Sequence, residues 1–267
     1  IGAAGAGLAD KAGTLAGDIS DSISIDSQLL GETVKVGARA ELDSSFEAVD
    51  AIDVTVDPLG ATLRTALKFE GTTLVADTVQ ADLIDLARLE PILGLPVAGS
   101  ASLLLSGLTV SEDGTVSTVF EVGANGLSII DDQVTELVGP SPSAKGDILL
   151  SEADGLAVTL HDVRARAGAV TGVALLTPDF EELSGSINAK AIASALPSDI
   201  GLSVGGDVIE LAARFAGPTT QPDLDVVMTP FAAAVSGTDL EVQAMEAQIR
   251  WQDDAPFVTF QGAGSAM

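Results

Sequence analysis

The chain contains no cysteine and no tyrosine, and only one histidine. Without thiols it can form no disulfide, run no thiolate chemistry and hold no Cys-ligated metal, and its redox compartment stays open. Aromatic residues are scarce as well, eight Phe and one Trp in 267 residues, which argues against a core filled by bulky rings. Basic residues are outnumbered, 12 against 39 acidic, for a formal charge of -27. That balance repels polyanions over most of the surface and excludes nucleic-acid binding, while favouring solubility. The chain opens on Ile1 with no charged n-region or cleavage pattern, so the expectation is an internal segment whose targeting signal lies upstream. The one uncharged window of membrane length, Pro91 to Ser111, holds two Pro, three Gly and four Ser. It reads as a buried helix and strand, not a span.

What is present is alternation. Ile19, Ile23 and Ile25, then Val34, Val36, Ala38 and Ala40, then Ile52, Val54 and Val56 recur at every second position, the period of a half-buried strand. Asp57-Pro58-Leu59-Gly60, Gly71, Asp113-Gly114 and Asp154-Gly155 supply turn chemistry between such runs, Asp-Gly being the strongest hairpin signal. Leu127 to Leu137 is a denser apolar run, and Gly139-Pro140-Ser141-Pro142-Ser143 is the plainest loop. Roughly sixteen to twenty short strands at this spacing exclude a Rossmann or helical-bundle fold. The organisation expected is a Gly/Ala-rich edge or linker at 1–17, a first β segment at 18–140 and a second at 141–267.

Two stretches break the pattern in the same way. Leu83, Ile84, Leu86, Ala87 and Leu89 behind Asp82 predict a short helix, near 83–93, that Pro91 curtails; from Val97 a strand follows, with Ala101, Leu103 and Leu105 on one face. About a hundred residues later, Ala189 to Leu196 predicts a second helix stopped by Pro197, with Gly201-Leu202-Ser203-Val204 echoing Gly94-Leu95-Pro96-Val97. Val204 and Ile209 have opposite parity, which calls for a bulge or register change between them.

Catalytic signatures are thin. Gly201-Leu202-Ser203-Val204-Gly205 matches a nucleophile elbow, but the sole histidine, His161, precedes the serine and sits in a strand-like stretch. Asp131-Asp132 and Asp253-Asp254 lack the staggered oxygen ligands of a calcium loop, and Gly205-Gly206-Asp207 occurs once where a calcium-binding β-roll needs a tandem series. The expectation is a protein that is not an enzyme and has no cofactor or metal.

Many alternating strands with few aromatics suit a sheet whose concave face is lined by Val, Leu, Ile and Ala and left open as a groove. Hydrocarbon is the natural occupant. At about 0.8 kcal/mol per methylene, sheltering a sixteen-carbon chain recovers on the order of 12 kcal/mol. Parity nominates Val34, Val36, Val54, Val56, Leu63, Leu67, Phe120, Val122, Leu224, Val226, Met228, Ile249 and Trp251 as the lining.

The run from Asp82-Leu83 to Gly99-Ser100, the Ser184-Gly185-Ser186-Ile187 approach to the second predicted helix, and Phe215-Ala216-Gly217-Pro218 to Gln221-Pro222-Asp223-Leu224 resemble the TamB and AsmA-like proteins of Gram-negative envelopes, over residues 60–267. The resemblance implies an all-β fold: an elongated, curved antiparallel sheet forming an open groove, or β-taco, with a few short helices. It also implies a periplasmic protein held in the inner membrane by an upstream anchor. Such proteins reach toward an outer-membrane barrel of the Omp85 family and serve phospholipid transport or outer-membrane protein assembly and secretion. The chain shows neither the anchor nor an evident partner-binding domain, which puts the barrel contacts outside it. The competing expectation is a ligand-free β-sandwich or β-helical stalk of a surface protein.

Overall fold

The computed structural model describes residues 18–27, 32–42, 48–57, 60–90, 96–129, 132–192, 202–205, 208–235, 238–252 and 255–266. It is an all-β protein built from antiparallel ladders and not closed into a barrel. The chain divides into two compact units, Ile1–Ile130 and Asp131–Met267. The expected linker at 1–17 lies outside the described residues.

Unit 1 is a meander of β1 (Asp18–Ser27), β2 (Glu32–Leu42), β3 (Ala48–Asp57), β4 (Ala61–Glu70), β5 (Thr73–Leu83), β6 (Val97–Val110) and β7 (Val116–Ile129). Each strand pairs antiparallel with the one before it. The registers align the apolar positions into rows across the sheet. One row runs Val36, Val56, Ala61, Leu83, Ala101 and Ala124, and the next Ala38, Val54, Leu63, Ala81, Leu103 and Val122. A one-residue slip in any pair would turn every side chain beyond it to the opposite face, so these rows fix the register. Bulges interrupt the ladders at Glu41/Leu42, Val49/Ile52, Thr65/Lys68, Ala98/Ser100 and Ser106/Thr109. Each adds local bend and twist, which is how a flat meander acquires a concave face.

The hairpins follow the turn chemistry. Between β6 and β7 the Gly114 N–H donates to Ser111 O at 3.0 Å and the Ser111 N–H to Thr115 O at 2.9 Å. The Thr115 N–H donates to Asp113 Oδ1 at 3.0 Å, and that bond holds the Asp113 carboxyl below its ordinary range. Gly99, at φ 111°, forms the β6 bulge, where a Cβ would stand 2.7 Å from Asn125 O.

The first predicted helix begins later than expected. Leu83 belongs to β5, Leu86–Leu89 form one 3-10 turn lying against β6, and Glu90 after it is α-helical. Its cap is Asp85, whose Oδ1 accepts the Ala87 N–H at 3.1 Å, while Asp82 is a strand residue paired with Thr62 and Ser102. Leu86 is 8% exposed. Residues 91–95 of the predicted segment lie outside the described residues.

Unit 2 opens with α1 (Asp132–Val138), a helix the sequence pattern hid inside an apolar run, and continues through β8 (Ser143–Ser151), β9 (Gly155–Ala165), β10 (Gly168–Leu176) and β11 (Glu182–Ile192). Then come β12 (Leu202–Gly205), β13 (Val208–Pro218), β14 (Asp223–Met228), β15 (Phe231–Val235), β16 (Thr238–Gln252) and β17 (Ala255–Ala266). The long strand β16 pairs with β14 along one stretch and β15 along the next; β13 and β12 pair with those two in turn. Pro230, which has no N–H to give a ladder, stands at the break between β14 and β15. Val204 and Ile209 fall in separate segments, β12 and β13, which accommodates their opposite parity.

The second predicted helix is corrected over its first half. Ala189 to Ile192 are the end of β11, paired with Leu211 to Val208 of β13, and residues 193–196 lie outside the described residues. Alanine's helical preference is a fraction of a kcal/mol per residue, and a full ladder on either side of β11 overrides it.

Phe180, in the β10–β11 turn, is the one non-glycine at positive φ among the described residues, at 59°. Its N–H donates to Thr177 O at 2.8 Å, and its ring is 50% exposed. Left-handed backbone costs an L-residue roughly 1–2 kcal/mol, less for Asn, which hydrogen-bonds locally. Phe180→Asn is therefore expected to stabilise unit 2 by about 1 kcal/mol, read as a rise in the thermal midpoint. A lower midpoint would mean that ring packing outweighs the backbone.

Among the described residues no helix is long and apolar enough to cross a membrane.

Candidate functional site: an apolar groove in unit 1

The rows of unit 1 converge on a groove of about 440 Å³ that spans five strands, β3 to β7. Val54, Val56, Leu63, Leu83, Leu103 and Val122 line it, with Ala61, Ala81 and Ala101 between them and Leu89 of the 3-10 turn at one side. Each middle strand, β4 to β6, contributes one alanine and one leucine two positions apart, while the valines come from the outer strands β3 and β7. Thr62, Asp82 and Ser102 also border the space. They pair with one another one position along from the apolar rows, so strand alternation sends their side chains to the other face. On that face the Gln80 amide donates to Asp82 Oδ2 at 2.8 Å. Among the described residues, strand alternation thus directs no ionisable side chain into the groove.

The volume falls within the roughly 300–1,000 Å³ of small-molecule sites. The lining is not sealed: Val122 is 36% exposed, and the other lining side chains are half-buried. Among the described residues no large side chain is fully buried; the buried apolar set is Ala76, Leu86, Val97, Ile209 and Ala213. Apolar side chains in register, half open to solvent and free of charge, form a surface that gains by covering itself with hydrocarbon.

Of the residues nominated from sequence, the structure gathers Val54, Val56, Leu63 and Val122 in this groove. Val36 lies one strand further out, opposite Val56 and half-buried. Val34 pairs with Ile25 by its backbone, and its side chain lies outside the described residues. Phe120 is half-buried opposite Leu105, one row from Val122. Leu67 instead borders a separate 160 Å³ pocket with Val49 and Val75, because the β3–β4 and β4–β5 bulges carry the ladder away from the groove. Leu83 and Leu103 were absent from that selection. Leu103 stands in a visible period-two run; Leu83 was assigned to a helix.

In unit 2 the trio Leu224, Val226 and Met228 stands between Phe215, Ala213 and Leu211 on one side and Ile249, Ala247 and Met245 on the other. These are two-sided apolar rows like those of unit 1. The Phe215 ring lies over Gly185, and Trp251 is half-buried with its indole N–H donating to Pro222 O at 3.0 Å. None of Leu224, Val226, Met228, Ile249 and Trp251 borders a described pocket.

The pockets of unit 2 are of another kind. One of about 490 Å³ includes Thr171, Asn188, Lys190, Glu210 and Thr229, and the ion pair of Lys190 with Glu210 at 2.7 Å crosses it. Another is bordered by Asp223, Asp225, Arg214 and Arg250, where the Arg250 guanidinium meets Asp225 at 2.5 Å and donates to Leu224 O at 3.1 Å. Both belong to the face opposite Val226, and their ion pairs make them poor hosts for hydrocarbon.

Ser203 lies in β12, paired with Ala234 in an antiparallel ladder, so the sharp strand-to-helix turn that exposes an elbow serine is missing there. His161 is a strand residue whose Nε2 meets Asp147 Oδ2 at 2.5 Å on an exposed face. No cluster of metal-binding side chains occurs among the described residues. The Asp131 and Asp253-Asp254 positions lie outside the described residues. Comparison with protein-family models, with curated proteins and with solved structures returned no match.

Proposed function

We propose that this protein shelters the acyl chains of phospholipid in the apolar groove of unit 1. One observation carries the reading: side chains from five neighbouring strands line a half-open trough into which, among the described residues, strand alternation directs no ionisable group. Even if only half of a sixteen-carbon chain is covered, about 0.8 kcal/mol per methylene yields roughly 6 kcal/mol, enough to hold a lipid against water. The 19 acidic and 6 basic residues of unit 1 supply the charge that keeps such a trough in solution.

The sequence resemblance to TamB and AsmA-like proteins supplies the setting. In this reading the chain is a segment of a periplasmic bridge, tethered upstream in the inner membrane and reaching toward an outer-membrane barrel of the Omp85 family. It passes phospholipid between membranes or assists outer-membrane protein assembly. A β-helical stalk accords poorly with the ladders, since every described pairing is antiparallel.

Protein purified from cell envelopes should carry phospholipid through chromatography, detected by extraction and mass spectrometry. After delipidation it should take up a neutral naphthylamine probe with a rise in fluorescence. Lipid-free protein that also fails to bind the probe would overturn the proposal.

A further inference from the structure

We infer that the unit 1 groove discriminates among single-chain amphiphiles by head-group charge, accepting neutral and zwitterionic heads and rejecting anionic ones. The inference rests on the acyl-chain reading above and adds a substrate class to it.

Three observations converge. First, among the described residues no lysine or arginine borders the groove: of the thirteen bordering residues ten are apolar, two are hydroxyl-bearing and one, Asp82, is a carboxylate. An anionic head emerging from the trough therefore finds no cation at its edge, and phosphate recognition depends on such a group. Second, the cations of β4 and of the 3-10 turn are already engaged. Arg64 meets Asp53 at 3.3 Å, Arg88 meets Asp85 at 3.6 Å, and Lys68 sits between Glu70 at 3.1 Å and Asp77 at 3.2 Å. The Glu70 hydrogen bond, then that of Asp77, raises the Lys68 pKa above its ordinary 10.5, in keeping with an ammonium held by carboxylates. Third, unit 1 has 19 acidic residues against 6 basic ones, so its net charge repels an anionic head.

The hydrocarbon contribution is the same for any head on a given chain, so head-group charge alone separates the competitors. The opposing field is a sum of exposed charges and is screened beyond about 8 Å at physiological ionic strength. The preference must therefore depend on salt. It should be largest at low ionic strength and fade as the Debye length shrinks.

The test uses three sixteen-carbon amphiphiles below their micellar concentrations: monoacylglycerol, lysophosphatidylethanolamine and lysophosphatidylglycerol. Each is titrated against the delipidated full chain loaded with the neutral naphthylamine probe. At low salt the anionic lysophosphatidylglycerol is expected to displace the probe about fivefold or more less effectively than the other two, and the three curves should converge at about 0.5 M salt. Equal displacement by all three at low salt overturns the charge selectivity and leaves the groove standing. A deficit that persists unchanged at high salt also overturns it, since the cause would then be head-group size or shape. If none of the three displaces the probe, the acyl-chain reading itself fails, and the selectivity with it.

Discussion

Leu103→Asp should abolish acyl-chain binding while the strands of unit 1 stay folded. Leu103 stands mid-groove in β6, paired with Ala81 on one side and Val122 on the other, and is half-buried, not enclosed. With hydrocarbon in the trough, a carboxylate there loses its water and gains no partner, at a cost of several kcal/mol. Each 1.4 kcal/mol is a factor of ten, so affinity should fall by about a hundredfold or more. With the trough empty the same carboxylate is hydrated, and the loss of fold stability should stay within about 1–2 kcal/mol. The neighbouring substitution Leu104→Asp is the control, because Leu104 lies on the opposite face and is 37% exposed. It should leave binding unchanged. Probe displacement read beside circular dichroism separates the outcomes. Global unfolding by Leu103→Asp would mean a closed core, and retained binding would place the lipid elsewhere.

Gly155→Ala should be among the most damaging single changes in unit 2, costing about 2–4 kcal/mol. Gly155 begins β9 at φ 82°, where an L-residue is strained. A Cβ there would also press on backbone, against the Leu176 carbonyl and within 2.7 Å of Thr177 C and 2.8 Å of Pro178 N. Backbone at the end of β10 cannot swing aside as a long side chain could. Chemical denaturation should show a lower midpoint with an unchanged slope. A loss under 1 kcal/mol would mean that the end of β10 yields more readily than its ladder suggests.

That glycine also marks how far sequence reasoning reached. Asp154-Gly155 was legible as a turn because the dipeptide supplies positive φ, yet nothing local revealed that Thr177 and Pro178 come to rest against it. The antiparallel meander was legible because period-two alternation and Asp-Gly turns are properties of adjacent residues. Val54, Val56, Leu63 and Val122 could be chosen by parity for the same reason. Leu67 could not be placed, since two bulges shift its surroundings without any local signal. The helix starts were misplaced for a related cause. Leu83 to Leu89 and Ala189 to Leu196 show helical spacing and good helix formers, but Leu83 and Ala189 to Ile192 are drawn into ladders on both sides of β5 and β11 that outweigh propensity. The helix Asp132–Val138 went unseen because its polar positions sit beside the apolar end of β7.

The neighbour-to-neighbour pairing of the unit 1 meander has a kinetic consequence. In unit 1 every strand closes its hydrogen bonds with the strands next to it in the chain, so folding closes short loops and incurs little of the entropy that distant pairings demand. Such an arrangement zips from any hairpin and frays from its ends, so amide exchange should be slowest in the middle strands, β4 to β6, where the groove floor lies. It also lets the trough lengthen by one hairpin at a time, since a new pair of strands needs only an existing edge and the same alternation. Reach, in such a molecule, is set by how many hairpins are strung together and not by redesign of a core.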